Sequence, residues 1–141
     1  MLKTVLLALD DSDASAQLIQ MVRSLHLESD AQLVLAHVIY SEPIDIASDR
    51  PPADVADLDA LYAERLSDYK NALPWQITVE VVWGDPAEEI IRLAHIHNAD
   101  LVIMGTRGLT GVNRVLQGSV SSQVVADSPC SVLVVKPSFQ G

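Results

Sequence analysis

The sequence predicts an α/β fold: a single-domain open parallel sheet of five strands with helices on both faces. Three observations lead there. Short apolar runs without polar alternation, such as residues 4–9 and 31–39, suit strands covered on both faces. Between such runs lie stretches whose apolar residues recur three and four apart, the spacing of one helix face. A length of 141 residues makes one domain, 1–141, large enough to bury most of its apolar surface and with no room for a second. Strands that alternate with helices at this interval form a doubly wound, Rossmann-like sheet joined by right-handed crossovers.

Each element has its own justification. Residues 4–9 are the first strand. Asp11, Ser12 and Asp13 then offer helix-capping side chains, and residues 14–27 follow with Leu18, Met21, Val22 and Leu25 on one side. Residues 31–39 repeat the apolar strand pattern. The segment 41–54, with Pro43, Pro51 and Pro52, is expected to be a flexible loop. Residues 53–73 read as a long helix with Val55, Leu58, Leu61, Tyr62, Leu66 and Tyr69 available to one face, ended by Pro74. Residues 77–83 are the third strand. Gly84, Asp85 and Pro86 turn the chain into a helix, with Asp85 as N-cap, Pro86 as first helical residue, and Ile90, Ile91, Leu93 and Ala94 inward. Residues 100–104 make the fourth strand, 118–126 a short helix and 131–136 the fifth strand.

Bulk properties exclude several classes of function. The net charge of −10 argues against nucleic acid, because duplex binding needs clustered Lys and Arg to neutralise several phosphates. The first ten residues are apolar for too short a stretch to cross a bilayer and lack the small-residue cleavage site of a signal peptide, so the chain is expected to be cytoplasmic, with no membrane partner. The single cysteine, Cys130, cannot form an internal disulfide, and a packing role is expected of it. His95 and His97 fall on different sides of a helix and read as one packed and one exposed histidine rather than a metal pair. No protein-ligated metal site is expected, and no motif of nucleophilic or zinc chemistry occurs.

One stretch departs from the acidic whole. From Leu101 to Ala126 the chain holds no carboxylate but carries Arg107 and Arg114. It runs from an apolar strand ending in Met104 into Gly105, Thr106, Arg107 and Gly108, then through nine residues to Gly118 and Ser119. Glycines permit positive φ and close backbone approach, and the unpaired amides of a following helix turn supply donors at the positive end of a dipole. A strand that empties into such a loop is how proteins hold phosphate, although Gly105 and Gly108 alone would also suit a plain turn. In a parallel sheet, ligands sit beyond the carboxyl ends of the strands, where Asp10, Val38 and Gly105 all fall. Asp10 also suits a helix cap, a duty that Asp11 or Ser12 could equally take.

The spacing Gly105-x2-Gly108-x9-Gly118-Ser119 resembles the pattern of the universal stress protein family, in its nucleotide-binding branch. The resemblance extends to residues 4–10, to the strand end at Ala36, His37 and Val38, to residues 100–108 and to 128–136. It implies a fold of the adenine nucleotide alpha hydrolase-like type and an adenine nucleotide, ATP, ADP or AMP, lying across the sheet, with Mg2+ arriving only on the nucleotide. By this resemblance Asp10 matches the ribose-binding carboxylate, and Ala8, Val38 and Met104 fall among the nucleotide contacts. Gly105, Arg107, Gly108, Gly118, Ser119, Val120 and Ser121 match the phosphate loop. Arg114 reads as a solvated loop charge. The family topology also puts residues 132–135 at a sheet edge, where an apolar strand tends to pair with a second copy, which implies a homodimer.

Three functions follow as alternatives. A nucleotide-binding sensor in a stress response is the first. A slow ATPase or phosphotransferase is the second: the acids nearest the glycine loop in sequence are Asp100 and Asp127, across a strand and a helix, so no catalytic residue is assigned and efficient catalysis is not expected, while Asp10 or Asp11 could reach Mg2+ through water and allow weak hydrolysis. The third, a nucleotide-independent dimeric interaction protein, goes with loss of the glycine pattern, which is intact here.

Overall fold

The computed structural model describes residues 2–9, 14–40, 52–105 and 114–136. Nine elements follow in order: β1 (Thr4–Ala8), α1 (Ala14–Ser24), β2 (Gln32–Tyr40), α2 (Pro52–Lys70), β3 (Gln76–Gly84), α3 (Pro86–Ile96), β4 (Leu101–Gly105), α4 (Arg114–Asp127) and β5 (Ser131–Val135). The strands form one sheet in the order β3-β2-β1-β4-β5, and every neighbouring pair is parallel. The expected α/β class, strand number and direction all hold.

Alternation along the strands divides the core in two, since successive side chains of a strand point to opposite faces. Leu6, Ala8, Val34, Ala36, Val38, Val102 and Met104 join Ala87, Ile90, Leu93 and Ala94 of α3 and Val120 and Val124 of α4. Val5, Leu7, Leu33, Leu35, Leu101 and Ile103 join Leu18, Ile19 and Val22 of α1 and Leu66 of α2 on the other side. Winding runs outward from β1 through β2 to β3, then returns to β4 and β5 in the opposite direction. Right-handed crossovers in the two directions require helices on opposite faces, which is the division of the two cores.

Three expectations need correction. Pro52, read as loop, is the first residue of α2, where its fixed φ and missing N–H cost nothing; residues 41–51 of the expected loop lie outside the described residues. Leu61, named among the residues available to one face of α2, is 42% exposed, and α2 packs chiefly on the edge strand β3. The last helix opens at Arg114 rather than at Gly118. The helix-forming residues Arg114, Val115, Leu116 and Gln117 extend it by one turn upstream of the glycine that seemed to start it.

Candidate functional site

The order of the strands marks a crevice. Strand order reverses between β1 and β4, and in open parallel sheets ligands bind beyond the carboxyl ends of the strands at that point. Ala8 ends β1 and pairs with Met104 of β4 on one side and Ala36 of β2 on the other. Val38 lies two residues past Ala36, and Gly105 pairs with Val135 of β5. Ala8, Val38, Met104 and Val120 all belong to the core cluster on the α3–α4 face, so four expected site residues from four elements are brought together on one side of the sheet. Small residues at Ala8 and Ala36 keep that side low at the centre.

The remaining expected residues divide. Gly118, Ser119 and Ser121 are part of α4, with Gly118 in its second turn. Gly118 therefore lies at least one turn inside the helix. Asp10, Arg107 and Gly108 lie outside the described residues, as does the side chain of Ser119.

Both ends of β1 are fastened. At its start, Asp100 accepts main-chain N–H bonds from Lys3 and Thr4, each at 3.0 Å, which hold its carboxyl below the usual carboxylate range. Asp100 therefore stands at the end of the sheet opposite the crevice. At the other end the N–H of Leu9 donates to the Ala36 carbonyl at 2.8 Å, and the Leu9 carbonyl lies 2.9 Å from Nδ1 of His37. His37 is buried and stacks on Tyr62 of α2, ring centroids 4.0 Å apart. Sequence reading gave His37 no role. Its odd place in an apolar strand is a signal of a partnered polar group, but naming the partner required the β1–β2 register.

His97 and Cys130 have partners within the fold. His97 is half-buried and paired with Glu80 at 2.6 Å, and His95 is exposed. Cys130 packs against the α3–α4 core beside Ser128. Among the described residues no group of three His, Cys, Asp or Glu could hold a metal ion, and no helix is long and apolar enough to cross a membrane.

A model of the universal stress protein family matches residues 1–136. The chain belongs to that family. A universal stress protein from Thermus aquaticus is 35% identical, with 96% of this chain and 100% of that one aligned. Among solved structures, the hypothetical protein MJ0577 superposes with a TM-score of 0.83 at 26% identity, over 99% of each chain. A universal stress protein solved in complex with cAMP gives a TM-score of 0.72 at 26% identity, over 97% of this chain and 99% of the other. Membership thus rests on residues 1–136, and the solved relatives share the fold over nearly the whole chain.

Proposed function

We propose that this universal stress protein domain binds an adenine nucleotide, ATP, ADP or AMP, as a regulatory module in a stress response rather than as an enzyme. The observation that carries the reading is the convergence of Ala8, Val38 and Met104 on one face, where strand order reverses beside β1. The family relative in complex with cAMP adds support, since it aligns with nearly the whole chain. In this reading Val38 and Met104 line the base, Ala8 leaves room for it, and the Asp10 carboxylate accepts from the ribose hydroxyls. The tail meets Gly105, Arg107 and Gly108, with Gly118, Ser119, Val120 and Ser121 of α4 beside it. Because Gly118 lies inside α4, Ser119 and Ser121 are assigned hydroxyl contacts in this reading. Any Mg2+ arrives on the phosphates, and no residue is assigned to hydrolysis.

Titration calorimetry with ATP, ADP and AMP tests this directly. Binding of at least one, weakened by about 1.5 to 3 kcal/mol in Asp10→Ala, is expected, the usual worth of hydrogen bonds to a charged group. Failure of all three to bind would overturn the nucleotide reading. Unchanged affinity in the variant would remove the ribose role from Asp10.

A further inference from the structure

We propose that the groove between α1 and the end of β5 binds a short alkyl carboxylate, with Lys136 at the carboxylate and the alkyl chain laid along α1. The groove has a volume of about 360 Å3, within the range of roughly 300 to 1,000 Å3 usual for small-molecule sites, and its exposed surface is predominantly apolar. Ala16, Gln20, Met21 and Ser24 of α1 line it together with Val135 and Lys136. Its place follows from the winding of the chain. On this face of the sheet α2 packs on β3 while α1 packs on β4 and β5, so no described helix lies beyond α1 towards the β5 edge. The groove stands apart from the nucleotide crevice: Val135 belongs to the core on the α1 side of the sheet, whereas Ala8, Val38 and Met104 belong to the other.

Charge selects the head of the ligand. In a chain of net charge −10, residues 14–27 hold no carboxylate, and neither does any residue that lines the groove. Lys136 is exposed, and its ammonium group has no ion-pair or hydrogen-bond partner among the described residues. A single cation at the end of a neutral trough matches a single negative charge; a phosphate would meet the same one cation and more of the repulsion of the acidic chain. The walls select the tail. Ala16 offers only a methyl group, and the Ser24 hydroxyl already donates to the Gln20 carbonyl at 3.1 Å. Met21 is half-buried against the core, and its unbranched, polarisable side chain adapts to an alkyl chain. From residue 16 to residue 24 the helix rises about 12 Å, room for several methylenes in extended form. A chain laid there takes apolar surface of both partners out of water.

Hexanoate, octanoate and octanol are the probes, each titrated into the full chain and followed by amide chemical shifts. Octanoate is expected to bind with shifts at residues 16–24, 135 and 136, and more tightly than hexanoate by roughly two- to fourfold for each added methylene. Lys136→Gln should weaken octanoate about threefold, within the worth of one solvent-exposed charge pair, and leave octanol unchanged. Ala16→Trp fills the groove from an exposed helix position and should abolish octanoate binding. Should it not fold, Gln20→Trp carries the same expectation. The proposal is overturned if octanoate leaves these amides unmoved at millimolar concentration, binds the groove-filling variant as tightly as wild type, or is indifferent to Lys136→Gln. If Ala16→Trp instead dissociates a dimer that octanoate does not bind, a second copy covers the groove and the proposal falls. Each outcome holds whether or not the protein binds ATP.

Discussion

At the scale of single residues, the start of β1 is held by one side chain far from it in sequence. Asp100 gathers the N–H groups of Lys3 and Thr4, and its own N–H donates to the Thr4 carbonyl at 2.8 Å. Those bonds favour the ionised carboxylate, so its pKa in the folded protein lies below the ordinary value of 3.8. A depressed carboxylate contributes stability that is present above the unfolded pKa and lost as pH falls through the folded one. Asp100→Ala is expected to lower unfolding stability at pH 7 by about 1 kcal/mol, the low end for bonds to a charged group because solvent screens the exposed site. The difference from wild type should shrink as pH falls below the ordinary carboxylate range. Urea unfolding at pH 7 and pH 3 checks it, and an equal gap at both would contradict the assignment.

At the scale of elements, α3 shows local chemistry agreeing with tertiary structure. Asp85 is extended and its side chain accepts from the Glu88 N–H at 3.0 Å, Pro86 opens the helix, and Glu88 and Glu89 occupy its first turn. Gly84 precedes the cap at φ +146°, where a Cβ would also meet Glu89 Cγ at 3.1 Å. Asn98 closes the helix in the left-handed conformation, φ 52°, followed by an Ala99 N–H bond to the Ala94 carbonyl. Asp85→Ala should cost about 1 kcal/mol, the usual loss of an N-cap. Its urea midpoint should fall with the slope unchanged, since the surface exposed on unfolding is the same.

The start of α3 was legible from its sequence to the residue because capping and proline chemistry are local. The strands were legible within about a residue for the same kind of reason, as apolar runs bounded by turns. The start of α4 was not. Gly118 looks like a boundary, but one glycine costs a helix only about 1 kcal/mol, and the good helix formers before it outweigh that. Leu61 was misjudged because periodicity reveals a face without revealing how much of it the neighbouring layer covers. Of the candidate site, the parts given to Ala8, Val38 and Met104 came from the family resemblance, since apolar residues of any buried strand look alike, and β2 runs two residues past Val38 to Tyr40. The bond from His37 to Leu9 was not legible, because it exists only once two strands 28 residues apart are in register.

At the scale of the molecule, β3 and β5 are the edges of the sheet. The two are covered differently: α2 packs on β3, whereas Val132, Leu133 and Val134 of β5 are each half-buried against the cores. A five-residue apolar edge with one described strand neighbour is suited to antiparallel pairing with a second copy. Sedimentation should therefore find a dimer. Val134→Asp, which sets like charges near the two-fold axis, should shift it towards monomer while the circular dichroism of the fold is retained. A wild-type protein that sediments as a monomer would sink the pairing.

The strand order also bears on synthesis at the ribosome. β1 is made first and ends at the middle of the sheet, yet it gains its second neighbour only when Leu101 emerges to pair with Val5. Until then a nascent chain holding β1, β2 and β3 exposes one flank of its central strand. That interval is when mispairing with another chain is most available.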